Sequence, residues 1–233
     1  IHMLQLYVPV VSESEKEYNA RLKELLLEIK EMSTEEKAKE IPVMPEELLF
    51  SMLPSYPGYS ASKDMLPIGI DTDSLQVYAL DMSGVPAFVI GSARTGRTNM
   101  VRNLITMAGT EKIYLFDNRS HNLGIYQTKE NIIYAEGTES AKKSLERIRT
   151  EITLRKEAYE EERLDNVALT LAEYCKTLEP VYVAVDGLQE LYESLGEDNE
   201  WMDLLADAVD HGFQVLVTSE MKVKKMTKSR FFD

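Results

Sequence analysis

The chain has one cysteine, Cys175, in 233 residues. A lone thiol closes no internal disulfide, so the sequence is not a disulfide scaffold and fits a reducing compartment. Glycine and proline are sparse, at 11 and 8 residues, which excludes collagen-like and low-complexity chains. No apolar run approaches the roughly 20 residues that span a bilayer, so direct membrane insertion by this fragment is not expected. No basic stretch precedes an apolar core at the start, so no signal peptide is expected. Positive charge is short. Lys and Arg number 26 against 40 Asp and Glu, a formal net charge of −14. Nucleic-acid binding rests on cations that neutralise phosphates, so no nucleic-acid partner is expected and a DNA-translocating motor is disfavoured. His2, His121 and His211 lie far apart with no metal-ligand spacing. Ile1-His2-Met3 reads as a cloning remnant, so a piece of a longer protein is expected.

Hydrophobic residues make up 44% and charged residues 28%, the balance of a soluble globular protein. The length allows one large domain or two small ones. Residues 4–8 alternate and predict a short strand. Tyr18, Leu22, Leu25, Leu26 and Ile29 form one stripe of a helix over 14–31. Ser33-Thr34-Glu35-Glu36 predicts a capped turn. From 41 to 67, Pro42, Pro45, Pro54, Pro57 and Pro67 mark a connector that wraps a body. Its Met44, Leu48, Leu49, Phe50, Met52 and Leu53 predict that it packs down. Residues 1–67 therefore read as a strand, helix and connector, and 68–233 as the core domain.

In the core domain strands alternate with helices. Strands are predicted at 77–80, 87–90, 112–116, 131–134, 181–185 and 214–218. Val101, Leu104, Ile105 and Ala108 predict a helix over 98–108, stopped by Gly109. Longer helical patterns cover 138–163 and 167–178, and Trp201, Leu204, Leu205 and Ala208 mark one more. Lys142, Lys143, Arg147, Arg149, Arg155 and Lys156 alternate with glutamates and predict a solvated face. Cys175 predicts a packing role. The pattern implies an α/β fold with a mainly parallel sheet covered on both sides.

Gly91-Ser92-Ala93-Arg94-Thr95-Gly96-Arg97-Thr98 has the spacing of a phosphate-binding loop, G-x-x-x-x-G-K-[ST], with Arg97 in place of lysine. It lies between a predicted strand and a predicted helix. There, glycines let backbone N–H groups turn inward around phosphate at a helix N-terminus. Arginine is a wide fork where lysine is a point charge, so Arg97 is expected to bind off-register or turn to a carboxylate. Arg94 adds bulk. The run Val181–Val185 ends in Asp186, the place of an aspartate that orients magnesium. Gly187 follows it and offers no base to activate water. Gln189 and Glu190 are near, at a spacing that predicts another direction. Thr218 and Ser219 end the last strand, where they could sense phosphate. Asp117-Asn118-Arg119 ends another strand, at the sheet edge where ligands bind.

Pro67-Ile68-Gly69-Ile70-Asp71, the 91–98 loop, Leu115-Phe116-Asp117, Leu154-Arg155-Lys156-Glu157-Ala158-Tyr159, Val185-Asp186 and Val217-Thr218-Ser219 follow one another in a family order. This order resembles the FtsK/SpoIIIE class of P-loop motor ATPases. Within it, the chain looks most like the C-terminal (third) ATPase-like domain of EssC-type coupling proteins of the Gram-positive type VII (ESAT-6-like) secretion system. The resemblance implies a P-loop NTPase-like fold of RecA/FtsK type and a place at the cytoplasmic face of the membrane. It implies as partners the preceding ATPase domains of the same chain, small helical Trp-x-Gly secreted substrates, and an oligomer in the secretion complex. Arg97, Gly187 and Glu220 depart from the motor pattern. The expected function is therefore a degenerate ATPase domain in regulation or substrate recognition, with an active motor domain as the alternative. No cofactor is expected beyond weakly held Mg-ATP, with Thr98 and Asp186 on the metal. Trp201, Met202 and Leu205 are the candidate partner-binding residues, walls for a helix-in-groove contact.

Overall fold

Two periodicities of the sequence become two kinds of element in the computed structural model, which describes residues 14–32, 43–196, 200–220 and 229–232. The chain divides into two units, Ile1–Val43 and Met44–Asp233. In the first, the helix expected over 14–31 is α1 (Glu15–Met32). Glu17 and Arg21 pair across one turn at 2.9 Å. The strand expected at 4–8 and the capped turn at 33–36 lie outside the described residues.

The second unit takes in residues 44–67, which the sequence had grouped with the extension. Only part of that connector packs down. Leu53 is buried in a 3-10 turn over Phe50–Ser55, whereas Met44, Leu48 and Leu49 are exposed. The connector also ends early, because β1 (Met65–Ile70) pairs antiparallel with β2 (Val77–Asp81) in a two-stranded ribbon. Pro67 is tolerated there because neither strand of a ribbon is central.

The core then runs β3 (Ala87–Ile90), α2 (Arg97–Ala108), β4 (Lys112–Asp117), β5 (Ile132–Glu136), α3 (Gly137–Asp165), α4 (Leu171–Cys175), β6 (Val181–Val185), α5 (Leu188–Leu195), α6 (Glu200–Asp210) and β7 (Phe213–Ser219). Five strands pair in parallel in the order β3-β7-β6-β4-β5. This is the α/β sheet flanked by helices that the alternation implied. Among the described residues no strand follows β7, so β3 lies at the edge of the sheet.

Strand alternation sorts the core into two faces. Val181, Val183, Val185, Val215, Val217, Tyr114 and Phe116 pack with residues of α3 and α6. Tyr182, Ala184, Leu216, Ile113 and Leu115 pack on the other side with Val101, Leu104, Ile105 and Ala108 of α2 and with Leu66 of β1. Both faces of β6 and β7 are buried, which explains why the β6 run carries no alternation in its sequence.

Three expectations need correction. The helix predicted over 167–178 is only the short α4. A capping box fixes its start: the Thr170 hydroxyl accepts from the Glu173 N–H, and the Glu173 carboxylate accepts from the Thr170 N–H at 3.0 Å. Arg155 is not on a solvated face. Its side chain is 10% exposed, donates to the His211 and Glu179 carbonyls at 2.7 and 3.2 Å, and lies over the Phe213 ring. It ties α3 to the turns that lead into β6 and β7. Finally, Trp201, Met202 and Leu205 form no groove. Trp201 is 6% exposed and the other two are fully covered, because α6 lays its whole apolar face on α3 and β7.

Candidate nucleotide-binding site

The strand order sets the site. β3 and β6 are separated only by β7, so the loop that leaves β3 and the aspartate that ends β6 face each other across one strand. Backbone conformation shapes the loop. Gly96 has φ +92°, in the left-handed region that glycine enters without steric cost, and Arg94 adopts φ +66°. A β-carbon at Gly91 would run into the Thr95 hydroxyl. The Gly91 N–H donates to the Ser219 carbonyl at 3.1 Å, which fastens the loop's first residue to the end of β7. The Thr95 hydroxyl donates to the Ser92 carbonyl at 2.8 Å. Ala93 and Gly96 line the cavity beyond.

Asp186 is the hub. It is 3% exposed and its carboxylate accepts three hydrogen bonds. Thr98 donates to Oδ2 at 2.9 Å, Asn118 to Oδ2 at 3.0 Å, and Thr218 to Oδ1 at 2.7 Å. The Thr218 oxygen in turn accepts from the Gly187 N–H at 3.0 Å. A buried carboxylate needs such donors, since an unpartnered charge in the interior costs several kcal/mol. Thr218 is thus occupied with Asp186 and Gly187, and Ser219 is buried at the edge of the loop. Thr98 and Asp186 offer a hydroxyl and a carboxylate side by side. That is the oxygen-only donor pair magnesium takes when it shares its shell with nucleotide phosphates. Among the described residues no cluster of three or more His, Cys, Asp or Glu would hold a metal alone.

Arg97 turns away from this centre. Its guanidinium pairs with Glu220 at 2.6 Å, and its side chain is 16% exposed where that of Glu220 is 58% exposed. Of the two outcomes expected for an arginine here, it takes the second. The loop, α2, the β4 end and α5 enclose a cavity of about 720 Å³, within the size range of nucleotide-sized pockets. Arg94, Arg97, Arg102, Asn118, Glu190 and Glu220 are among the residues that line it.

Beside it lies a smaller pocket of about 160 Å³, bounded by Asp117, His121, Glu136, Glu190 and Leu191. Asp117 accepts from the Leu123 N–H at 3.0 Å and from the Tyr134 hydroxyl at 2.8 Å. Burial, and then this carboxylate, push the Tyr134 phenol well above its ordinary value. Asp117 is therefore a brace for the loop after β4. Asn118, Arg102 and Glu190 are the site residues the sequence did not place. Asn118 was visible only as one of three polar residues at a strand end. Arg102 lies four residues after Thr98, on the same side of α2, and the spacing of Glu190 along the chain predicts another direction.

No family model matches the chain. Against curated proteins, the chain is 26% identical over 196 residues to the ESX secretion system protein EccC of Geobacillus thermodenitrificans (strain NG80-2). That match covers 82% of this chain and 13% of the relative's length. Among solved structures, EssC ATPases 2 and 3 from Geobacillus thermodenitrificans superpose with a TM-score of 0.75 at 22% identity, over 97% of this chain and 42% of that one. The cytoplasmic domain of EssC superposes at 0.67 and 24% identity, over 98% and 45%. The likeness read from the sequence therefore stands: the chain resembles an EssC-type ATPase domain, and its fold is that of these P-loop ATPases.

Proposed function

We propose that the chain is a degenerate FtsK/SpoIIIE-type ATPase domain, the third of a type VII secretion coupling protein, and that it acts in regulation or substrate recognition rather than as a motor. The observation that carries this reading is the Arg97–Glu220 pair. The one cation at the phosphate-lysine position is held by a carboxylate from the end of β7. A phosphate must displace that carboxylate before it can use the guanidinium, so nucleotide affinity is low in the resting state. A working ATPase is the second reading. It is favoured by the Thr98–Asp186 contact, which keeps the magnesium-holding pair together.

On this reading the domain works beside preceding ATPase domains at the cytoplasmic face of the membrane, and helical Trp-x-Gly substrates are its partners. The covered Trp201 moves the recognition surface away from α6. The exposed Met44, Leu48 and Leu49 of the connector remain as apolar contacts for it. Calorimetric titration with Mg-ATP tests the reading. The unaltered chain binds too weakly to saturate in the micromolar range, and Glu220→Gln binds tighter. A tight, fast-hydrolysing unaltered chain would favour the motor.

A further inference from the structure

Gly187 stands where the resembled motors place a water-activating glutamate, and the space around it is occupied. A β-carbon built on Gly187 would lie 3.2 Å from Asn118 Cβ and 3.9 Å from the carboxyl carbon of Glu190. The reason is helix α5. Gly187, at φ +91°, turns the chain directly from β6 into α5. One turn then returns residue 190 over residue 187, and the Glu190 N–H donates to the Gly187 carbonyl at 3.0 Å. The carboxylate is held from the other side too, because Oε2 accepts from the Arg119 N–H at 3.0 Å. Glu190 shares the larger cavity with Thr98 and Asn118, and both of these hydrogen-bond to Asp186.

We propose that Glu190 is the catalytic carboxylate that activates the attacking water in this domain, supplied from α5 in place of the side chain position 187 lacks. The proposal rests on the nucleotide-site reading above. In the step, the Glu190 carboxylate takes one proton from a water whose oxygen forms a bond to the γ-phosphorus of ATP. The bond from that phosphorus to the β–γ bridging oxygen breaks, and its electron pair leaves with ADP. The proton on Glu190 then passes to solvent. Thr98 and Asp186 would hold magnesium, which would supply charge neutralisation on the phosphates. The domain's deficiency then lies in phosphate capture, at Arg97, and not in water activation.

The test uses the 233-residue chain carrying Arg97→Lys and Glu220→Gln, with and without Glu190→Gln. Glutamine keeps an acceptor for the Arg119 N–H but cannot take a proton. Mg-ATP affinity is read by calorimetry and turnover by phosphate release. The double variant binds Mg-ATP and releases phosphate. Adding Glu190→Gln lowers kcat by about a hundredfold, the low end for loss of a general base, with affinity changed less than twofold. Glu190→Asp keeps part of the rate. Binding without phosphate release, or release that ignores Glu190→Gln, overturns the assignment. A double variant that fails to bind Mg-ATP overturns the reading of Arg97 and Glu220 as the latch, and the assignment falls with it.

Discussion

Arg97 and Lys differ by more than length. A lysine ammonium is a compact point charge that can follow a phosphate, while a guanidinium presents a planar fork that matches a carboxylate. Glu220 supplies that carboxylate. The pair is half in water on the glutamate side, 58% exposed, so it holds less firmly than a buried pair would. Glu220→Gln is therefore expected to tighten Mg-ATP binding by about threefold to tenfold, within the 1.4 kcal/mol that a tenfold change represents. Isothermal titration reads it, and an unchanged or weaker affinity would show that Glu220 does not compete with phosphate. Asp186 responds differently. It is buried under three donors, so Asp186→Ala strands Thr98, Asn118 and Thr218. A loss of about 1–3 kcal/mol is expected from the donors left unpaired, read by denaturant unfolding, and no measurable loss would contradict the hub.

Among the elements, α6 and α4 make separate claims. Trp201 is core rather than contact surface. Trp201→Ala is expected to destabilise by about 3–5 kcal/mol, visible as a lower denaturation midpoint, with no separate loss of peptide affinity in the fraction that stays folded. Near-native stability would put the indole back on the surface. On α4, the Thr170 side-chain and backbone hydrogen bonds hold the Glu173 carboxyl below its ordinary value. A depressed carboxyl stabilises above its unfolded value and loses that support as pH falls through the folded one. Thr170→Ala should shift the Glu173 midpoint upward in a carboxyl NMR titration, and no shift would remove the cap from the account.

Helix α2 was legible because Val101, Leu104, Ile105 and Ala108 recur on one face and Gly109 closes it; all four are buried. Helix α5 carried the same spacing in Leu188, Leu191, Tyr192 and Leu195. Its start is obscured because Gly187 directly after β6 reads as a turn. Glu190 is hidden with it, since spacing along an extended chain points residue 190 away and a helix brings it back. Arg155 is hidden for another reason. Its neighbours on α3 alternate in charge like a solvated face, and only the turns before β6 and β7 supply the carbonyls that hold it. The Arg97–Glu220 pair joins positions far apart in sequence, which no local pattern reveals.

For the whole molecule, the two sides of one site differ. The Asp186 side keeps Thr98, Asn118 and Glu190 in place, while the loop side has its cation held by Glu220. The net charge of −14 adds a general repulsion toward a polyanionic ligand, which salt would screen. The chain spans 13% of the length of its curated relative. A domain that binds nucleotide only when Glu220 lets go would report on nucleotide rather than consume it quickly.

The most direct measurement is calorimetric titration of the unaltered chain and of the Arg97→Lys/Glu220→Gln variant with Mg-ATP, side by side under one salt condition. The latch predicts no saturation of the unaltered chain in the micromolar range and clear saturation of the variant. Micromolar binding by the unaltered chain, or equal affinities for the two, would contradict it.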